Sequence, residues 1–341
     1  MVTIKDIARH SQVSTATVSR ILNNDPSLSV SDETRKRVLA IVDELDYKPL
    51  RKKSVKVKKQ EEAYNIGVIM LNDETIDPYF QSIRLGAEDA CNQYPLRIVS
   101  TMIVGKSQIT ADSVSGLDGL IVIGDVDIAD LKEVYAHNNH IIAVDYLPKD
   151  TNVDVVISDF EGATELVISY LLELGHTDIA YIGGKGEIFG VSKFKTSDKE
   201  DTRQSTFEKA MKEKGLYNPE KVLIGEWSTA SGYTLTKQLI EMNDLPSAIV
   251  VGSDPTAVGV LRALHEADIR VPEDVSIFSY DDIEAAAYMN PPLSTVKVYG
   301  DEMGKTAVKL LYDRLKGRTI PLKVILPAEL VIRDSVKPKT R

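Results

Sequence analysis

The chain has 341 residues, of which 43% are hydrophobic, and its 41 Lys and Arg against 51 Asp and Glu give a formal net charge of −10. One cysteine excludes an internal disulfide, and five histidines without any Cys/His cluster at zinc-finger spacing argue against a structural metal. There is no signal peptide at the start and no run of about 18 apolar residues, so we expect a cytoplasmic protein that does not enter a membrane.

The net charge is divided unevenly along the chain. Residues 1–60 contain 13 Lys and Arg and 7 Asp and Glu, a net charge of +6, whereas the other 281 residues carry −16. A basic end on an acidic body is typical of a terminal contact with nucleic acid or with a membrane surface. At roughly 100 to 200 residues per domain, the length predicts two or three domains.

Three short helices are predicted in residues 1–46, which we call the head. Thr3 and Asp6 have the spacing of a capping box and predict the start of a first helix. Ser14 can cap a second helix, and Ser31 a third. Because the first two helices are joined by a tight turn and the third follows a short connection, the pattern is typical of a helix-turn-helix.

The second helix has a small, polar outer face. With Val18, Ile21 and Leu22 turned inward, the residues left on the other face are Thr15, Ala16, Thr17, Ser19, Arg20 and Asn23. Small hydrogen-bonding side chains with one guanidinium suit close contact with base edges and phosphates. The alternative is a small helical bundle whose outer face is polar without a function.

Two sequence motifs in this region are highly specific. They are TIKDIARHSQVSTATVSRILNN and VSDETRKRVLAIVDELDYKP. Both resemble the N-terminal DNA-binding domain of the LacI/GalR family of bacterial transcription regulators. The resemblance implies that Thr15, Ala16 and Arg20 face bases in the major groove of double-stranded operator DNA, which such proteins bind as homodimers. The phosphate contacts that it implies are made by Thr3, Ser14, Thr17, Ser19, Asn23 and Thr34.

A basic linker, residues 47–63, follows the head. Here the family typically has Asn-x-x-Ala-Arg-x-Leu, a segment that folds on DNA and inserts its leucine into the minor groove, whereas this chain has LRKKSVKVKK with Lys56 in place of the leucine. The Val/Lys alternation does not fit an amphipathic helix. One interpretation is an unstructured, self-repelling tether. The other is a segment that follows phosphates by charge, with Arg51, Lys52, Lys53 and Lys56 as DNA-binding residues.

From residue 64 onwards, apolar strand-like runs alternate with helical patterns. This alternation predicts an α/β fold of doubly wound parallel sheets in a core of residues 64–341. We expect two lobes, the first from about 64–160 and 297–325, and the second from about 161–296 and 326–341. The predicted strands are Ile66–Leu71, Arg97–Met102, Gly119–Ile123, Ile141–Val144, Val153–Ser158, Ile179–Gly183, Ala248–Gly252 and Val275–Ser279.

Acidic residues follow several of these strands. Asp77, Asp159, Glu161, Asp254 and Asp281 each come after a predicted strand end. Ligands of open α/β sheets bind outside the carboxyl ends of the strands, so side chains that converge there indicate a binding crevice. A single Asp at such a place is more often a helix cap, and this interpretation stays open for Asp159 and Asp254.

The core also contains motifs of a known family. They are DPYF, LLELGHTDIAYIGG, RQSTF, GEWSTASGY, SDPTAVGVLRAL, VPEDVSIFSYDD and PPLSTV. They resemble the LacI/GalR ligand-binding core, which is similar in fold to periplasmic sugar-binding proteins. The resemblance implies hydroxyl contacts from Arg203 and Asp281 and aromatic walls from Trp227, Tyr79 and Phe80, although ordinary packing is the alternative for Trp227. The complete implied set is Asp77, Tyr79, Phe80, Asp159, Glu161, Arg203, Trp227, Ser253 and Asp281.

Two departures from the family pattern concern this site. The family commonly has Asn where this chain has Ser253, which removes an amide that can both donate and accept. Residues 187–201 are an insertion of about ten residues that is polar and rich in Gly, Ser and Lys. We expect this insertion to be a surface loop or a flap over the cleft.

The resemblance implies a sequence-specific DNA-binding repressor of sugar-utilisation genes that a small sugar controls. The helix-turn-helix motifs resemble most those of galactose-operon repressors of low-GC Gram-positive bacteria, which favours galactose or a galactoside as the effector. The alternative is a global carbon-catabolite regulator that a partner protein controls. An enzyme is not expected, because Gly183–Gly190 lacks the last glycine of GxGxxG and no GxxxxGK[ST] occurs. We expect no cofactor apart from the small-molecule effector.

Overall fold

A computed structural model describes residues 2–22, 28–45, 47, 63–71, 77–106, 108–150, 152–191 and 196–339. The chain divides into two compact units, residues 1–61 and 62–341. The described part of the first unit is helical, and the second is α/β. Within these ranges, no helix is long and apolar enough to cross a membrane.

The head contains three helices whose starts agree with the predicted caps. They are α1 (Ile4–Ser11), α2 (Thr15–Leu22) and α3 (Asp32–Glu44). At the start of α1, the backbone N–H and the hydroxyl of Thr3 donate to Asp6 Oδ2 over 2.9 and 2.6 Å. Ser14 Oγ and Ser31 Oγ each accept from the backbone N–H three residues later, over 3.0 and 3.2 Å. These caps satisfy donors that a helix leaves unpaired in its first turn.

Apolar side chains at helical spacing hold the three helices together. Ile7 of α1, Val18 of α2 and Val38 of α3 are fully buried against one another. The Nε of Arg37 on α3 donates to the carbonyl of Ser11 at the end of α1 over 3.2 Å. The opposite face of α2 is therefore left at the surface of the head.

The second unit contains fourteen strands and seven α-helices in its described residues. The strands are β1 (Tyr64–Met70), β2 (Leu96–Ile103), β3 (Gly119–Ile123), β4 (Ile141–Val144), β5 (Asp154–Ser158), β6 (Ile179–Gly184), β7 (Glu187–Phe189), β8 (Thr196–Asp198), β9 (Val222–Gly225), β10 (Ala248–Val251), β11 (Ser276–Asp281), β12 (Ser294–Lys297), β13 (Lys323–Leu326) and β14 (Glu329–Val331). The helices are α4 (Pro78–Cys91), α5 (Ile128–Val134), α6 (Phe160–Glu173), α7 (Thr202–Glu213), α8 (Thr229–Glu241), α9 (Asp254–Glu266) and α10 (Gly300–Leu315).

Two six-stranded sheets define two lobes. The sheet of the first lobe has the order β13-β5-β4-β3-β1-β2 and is parallel throughout. The sheet of the second lobe has the order β14-β12-β11-β10-β6-β9, in which β14 alone is antiparallel to its neighbour. The central strands β3, β4 and β10 are buried along their whole length, as expected for parallel strands with helices on both faces.

The chain crosses between the lobes near one edge of each sheet. The three crossings are β5 to α6, β12 to α10, and β13 to β14. Strands β5 and β13 lie at one end of the first sheet, and β12 and β14 lie at one end of the second. These adjacent crossings form a hinge, as in proteins whose lobes close around a ligand.

The sequence pattern missed several elements of this core. Strand β9 was not predicted, nor was the pairing of β7 with β8. The expected surface loop at 187–201 is wrong in part, because β7 and β8 form a two-stranded antiparallel hairpin. Val191, two residues after the end of β7, is buried with the hydrophobic side chains of the first lobe. The insertion is therefore anchored in a hydrophobic core and is not merely a loop on the surface.

Candidate functional site

The outer face of α2 presents the side chains that the sequence assigns to base contacts. Thr15, Ala16 and Arg20 are exposed on this face. Ser14 precedes the helix, and its Oγ lies 2.8 Å from the hydroxyl of Thr17. One short surface therefore combines hydroxyl groups, a methyl group and a guanidinium, which is the chemistry needed for base edges and phosphates.

The remaining predicted DNA contacts lie around this surface or outside the described residues. Thr3 is exposed at the start of α1, and Thr34 Oγ1 lies 2.9 Å from Ser31 Oγ at the start of α3. Ser19 is half-buried on α2. The predicted contacts outside the described residues are Asn23, Arg51, Lys52, Lys53 and Lys56.

The guanidinium of Arg203 lies in the cleft between the two lobes. It lies between two aromatic rings, 4.6 Å from the ring centroid of Phe160 and 4.4 Å from that of Trp227. Its Nε and Nη2 donate to Asp201 Oδ1 and Oδ2 over 3.1 and 2.8 Å, and its Nη1 donates to the carbonyl of Gly252 over 3.1 Å. The two ring contacts and the three hydrogen bonds hold the guanidinium in place.

Trp227 is held in this position by its own contacts. Its indole Nε1 donates to the carbonyl of Lys185 over 3.0 Å. A Cβ atom at Gly184 would come within 2.3 Å of the indole, so the absence of a side chain there makes room for the ring. Trp227 therefore packs against its neighbours and also lies beside Arg203.

A buried tyrosine–carboxylate pair lies on the first-lobe side of the cleft. The hydroxyl of Tyr79 donates to Asp145 Oδ1 over 2.8 Å. Burial raises the pKa of Asp145 to about 7, although the hydrogen bond from Tyr79 and the charge of Arg203 act in the opposite direction. Tyr79 thus contributes a hydroxyl group here, whereas Phe80 packs in the hydrophobic core of the first lobe beside Gly124.

Asp281 lies at the end of β11 in an unusual backbone conformation. The φ angles of Asp281 and Asp282 are 108° and 52°, in the left-handed region that favours glycine. Asp254 supports this turn, because its Oδ2 accepts from the N–H of Ile283 over 3.0 Å and its Oδ1 from the hydroxyl of Thr295 over 2.8 Å. Asp254 is therefore not the helix cap that its position suggested. The backbone strain at Asp281 is supported by buried hydrogen bonds, as is common at binding sites.

Charge interactions indicate that these carboxyl groups lie near one another and near Arg203. Burial raises the pKa of Asp281 well above its ordinary value, and the charges of Asp254, Asp77 and Asp145 raise it further, whereas that of Arg203 lowers it. Burial likewise raises the pKa of Asp77. The side chains that the sequence places after separate strands therefore do converge.

Three predicted residues serve as helix caps, and a fourth lies at the rim. Asp159 Oδ1 accepts from the N–H of Gly162 over 2.9 Å, and Ser253 Oγ accepts from the N–H of Thr256 over 3.4 Å. Asp77 also caps a helix, α4, through the N–H of Tyr79. Glu161 is exposed at the hinge.

A cavity of about 230 Å³ lies between the lobes at the hinge side. Its polar lining includes residues that the sequence did not single out, namely Asp125, Asp145, Lys199 and Asp201. Asp125 and Asp145 follow the predicted strands β3 and β4, so the rule that ligands bind at strand ends would have found them. Lys199 and Asp201 belong to the end of the insertion, where no local pattern marks them. The predicted residues that also line the cavity are Asp159, Glu161 and Arg203.

Comparisons with known proteins agree with both units. Residues 3–49 match the bacterial regulatory proteins of the lacI family, and residues 168–336 match the periplasmic binding protein-like domain. The chain is 41% identical to the HTH-type transcriptional repressor MelR of Bacillus subtilis, over 98% of this chain and 97% of the relative. It is 36% identical to the HTH-type transcriptional regulator GalR of Lacticaseibacillus casei, over 98% of this chain and 99% of the relative.

Two solved structures are similar to this chain over nearly its whole length. One is a lac repressor dimer bound to operator and the anti-inducer ONPF, with a TM-score of 0.67, 28% identity and coverage of 98% of each chain. The other is a complex of the transcriptional regulator CelR with cellobiose, with a TM-score of 0.69, 25% identity and coverage of 98% of this chain and 100% of that chain. With identity and coverage of this extent, the chain belongs to the lacI family of bacterial regulatory proteins, and it is a DNA-binding transcription regulator and not an enzyme.

Proposed function

We propose that this protein is a homodimeric repressor of sugar-utilisation genes whose binding to operator DNA is weakened by a small neutral sugar, with galactose or a galactoside as the favoured effector. The observation that carries the proposal is the crevice between the lobes. There, an immobilised guanidinium between two aromatic rings faces several buried carboxylates.

The chemistry of the crevice fits a polyhydroxylated ligand. Carboxylate oxygens accept hydrogen bonds from hydroxyl groups, and the guanidinium of Arg203 donates to their oxygens. The ring of Phe160, which lines the cavity, adds apolar surface for ring C–H groups. Five carboxyl groups line the cavity against three cations, which are Lys199, Arg203 and Lys323. A phosphorylated sugar would therefore be repelled, and a neutral sugar would not.

The relatives support this assignment. GalR of Lacticaseibacillus casei and MelR of Bacillus subtilis match nearly the whole chain, and the CelR structure contains cellobiose in a protein of the same fold. The lac repressor structure, a dimer on its operator, supports a dimer that binds operator DNA through the exposed face of α2. A partner protein as the controlling signal remains the alternative, and the experiment below separates the two.

Control by a sugar would act through the hinge. A ligand that contacts both lobes binds more tightly when they are closed around it, so it shifts the population of lobe arrangements. The size of the shift is limited by the ligand's difference in affinity for the two arrangements. We expect the arrangement favoured by the effector to have the lower operator affinity.

The test is a mobility-shift assay with the purified full-length protein and the DNA upstream of its own gene, with galactose, galactosides, glucose, ribose and galactose 1-phosphate added separately. We expect release by galactose or a galactoside and none by the phosphorylated sugar. Release by a neutral sugar of another series would correct the choice of sugar. If no sugar changes binding and a cell extract does, the partner-protein alternative is right.

A further inference from the structure

The hairpin formed by β7 (Glu187–Phe189) and β8 (Thr196–Asp198) leaves the second lobe at the end of β6. In that sheet β6 lies away from β12 and β14, from which the hinge crossings depart. The hairpin is therefore a connection between the lobes that is separate from the hinge.

The hairpin docks on the first lobe through backbone hydrogen bonds. The N–H of Phe189 donates to the carbonyl of Asp125, and the N–H of Asp127 donates to the carbonyl of Phe189, each over 2.8 Å. The N–H of Val191 donates to Asp130 Oδ2 over 2.6 Å. The side chain of Val191 is 1% exposed within the hydrophobic cluster of the first lobe. Buried apolar contact and paired backbone groups together fix the position of the hairpin.

This docking determines where Lys199 lies. Its backbone N–H donates to the carbonyl of Gly186 over 3.0 Å, which anchors the end of the hairpin. Its Nζ lies 2.5 Å from Asp125 Oδ1 of the first lobe and 5.3 Å from the ring centroid of Tyr146. The side chain is 26% exposed and lines the cavity that Arg203 also lines.

We propose that Lys199 is an effector-contacting and specificity-determining residue, which the hairpin carries across the cleft to complete the ligand site. The proposal rests on the proposed sugar-binding function. An ammonium group has three donors, and among the described residues Asp125 is the hydrogen-bond partner of Nζ, so donors remain for a sugar hydroxyl or ring oxygen. Asp125 and Lys199 then present an acceptor and a donor side by side, a pattern that fits one hydroxyl of a sugar.

The experiment measures sugar binding to the full-length protein by calorimetry and by the fluorescence of Trp227, the single tryptophan. Lys199→Met removes the ammonium, and Lys199→Arg keeps a charge that can pair with Asp125 but changes the donor geometry. Lys132→Met is the matched control. The Lys132–Asp150 pair is exposed to a similar degree, with side chains 23% and 27% exposed against 26% and 23% for Lys199–Asp125. Neither Lys132 nor Asp150 lines the cavity.

We expect Lys199→Met to raise the sugar Kd at least tenfold and Lys199→Arg to change the order of preference among sugars. The control Lys132→Met should leave the sugar Kd and the order of preference as in wild type. Val191→Asp, which displaces the hairpin, should weaken sugar binding as Lys199→Met does. The double variant should bind sugar no more weakly than whichever single variant has the lower sugar affinity. Melting temperatures confirm that each variant is folded.

A Lys199→Met protein whose Kd lies within twofold of wild type overturns the proposal. So does a Lys199→Arg protein with wild-type affinity and preference, because Lys199 would then serve only as an ion pair with Asp125. If wild type binds a neutral sugar other than a galactoside, only the choice of effector is wrong, and the variants are compared on that sugar. If wild type binds no sugar, both the proposed function and this proposal are wrong.

Discussion

Arg203 and Asp201 form a two-point ion pair in which Nε and Nη2 of the guanidinium donate to the two carboxylate oxygens over 3.1 and 2.8 Å. Asp201 also caps α7, the helix that carries Arg203. Burial raises the pKa of Asp201, but the charge and hydrogen bonds of Arg203 outweigh burial, and the pKa is lowered overall. The pair therefore stays ionised and orients Arg203 between Phe160 and Trp227.

The first prediction concerns this orientation. Asp201→Asn keeps a capping oxygen but loses the charge and one acceptor, so we expect the sugar Kd to rise by about tenfold or more, since charge-assisted bonds are worth about 1.5–3 kcal/mol. Calorimetry measures the change. Asp127→Asn, at the cap of α5, is the control and should have little effect. Equal affinities for wild type and Asp201→Asn would show that Arg203 needs no such support.

The second prediction concerns Asp281. Asp281→Asn preserves the size of the side chain but replaces one oxygen of the buried carboxyl group near Arg203 by an amide nitrogen, which donates and cannot accept a hydrogen bond. We expect the variant to bind operator as wild type does and to lose release by sugar, with an effector affinity at least tenfold weaker. Operator titrations with and without sugar measure both quantities. Full sugar response in this variant would remove Asp281 from the binding site.

The third prediction concerns pH. Because burial raises the pKa of Asp145 to about 7, the folded protein keeps this proton at pH values where the unfolded chain, with an ordinary pKa of about 3.9, has released it. The stability that this proton contributes is present below about pH 4 and is lost as the pH rises towards 7. Asp125, Lys199, Arg203 and Tyr79 face the group and shape the transition.

Asp145→Asn cannot lose a proton, so its free energy of unfolding relative to wild type should increase between pH 5 and pH 8 by an amount on the order of 1 kcal/mol or more. Urea unfolding at the two pH values measures this difference. A difference between variant and wild type that is the same at both pH values would contradict the assignment.

The fourth prediction concerns the exposed face of α2. Arg20→Ala should reduce discrimination between operator and random DNA by about 1–3 kcal/mol, the value of a bidentate contact with guanine. Arg9→Ala, at the exposed end of α1, is the control and should weaken both kinds of binding slightly and equally. Unchanged operator preference in Arg20→Ala would place base recognition elsewhere.

The fifth prediction concerns the lysines of the basic linker, which all lie outside the described residues. Replacing Lys52, Lys53, Lys56 and Lys58 by Ala should lower the salt dependence of operator binding by about 1 in the log–log slope for each lysine that neutralises a phosphate. The matched control replaces four exposed lysines of the core, namely Lys209, Lys214, Lys237 and Lys309. An unchanged slope in the linker variant would support a tether that does not contact DNA.

The fold was predictable where an element depends on residues that are close together in the sequence. Apolar runs such as β3 and β10 predict buried parallel strands because both faces are covered by helices. The caps at Thr3, Ser14 and Ser31 were predictable for the same reason, since each involves residues three positions apart.

The site was predictable in its composition but not in its contacts. Nothing near Arg203 in sequence shows that its guanidinium contacts the rings of Phe160 and Trp227. The hairpin was missed because β7 and β8 have three residues each, too few for a period of two to be recognised. Its anchor, Val191, bonds to Asp130, which lies 61 positions earlier in the sequence.

The central claim is that a neutral sugar in the crevice between the lobes controls operator binding. The most direct measurement is the operator Kd of the purified full-length protein, by fluorescence anisotropy, across a titration of galactose and galactosides, with Asp281→Asn alongside. The account predicts that the Kd of wild type rises at least tenfold with sugar alone and that the Kd of Asp281→Asn stays constant. A wild-type operator Kd that no sugar alters, or an equal rise in both proteins, would contradict it.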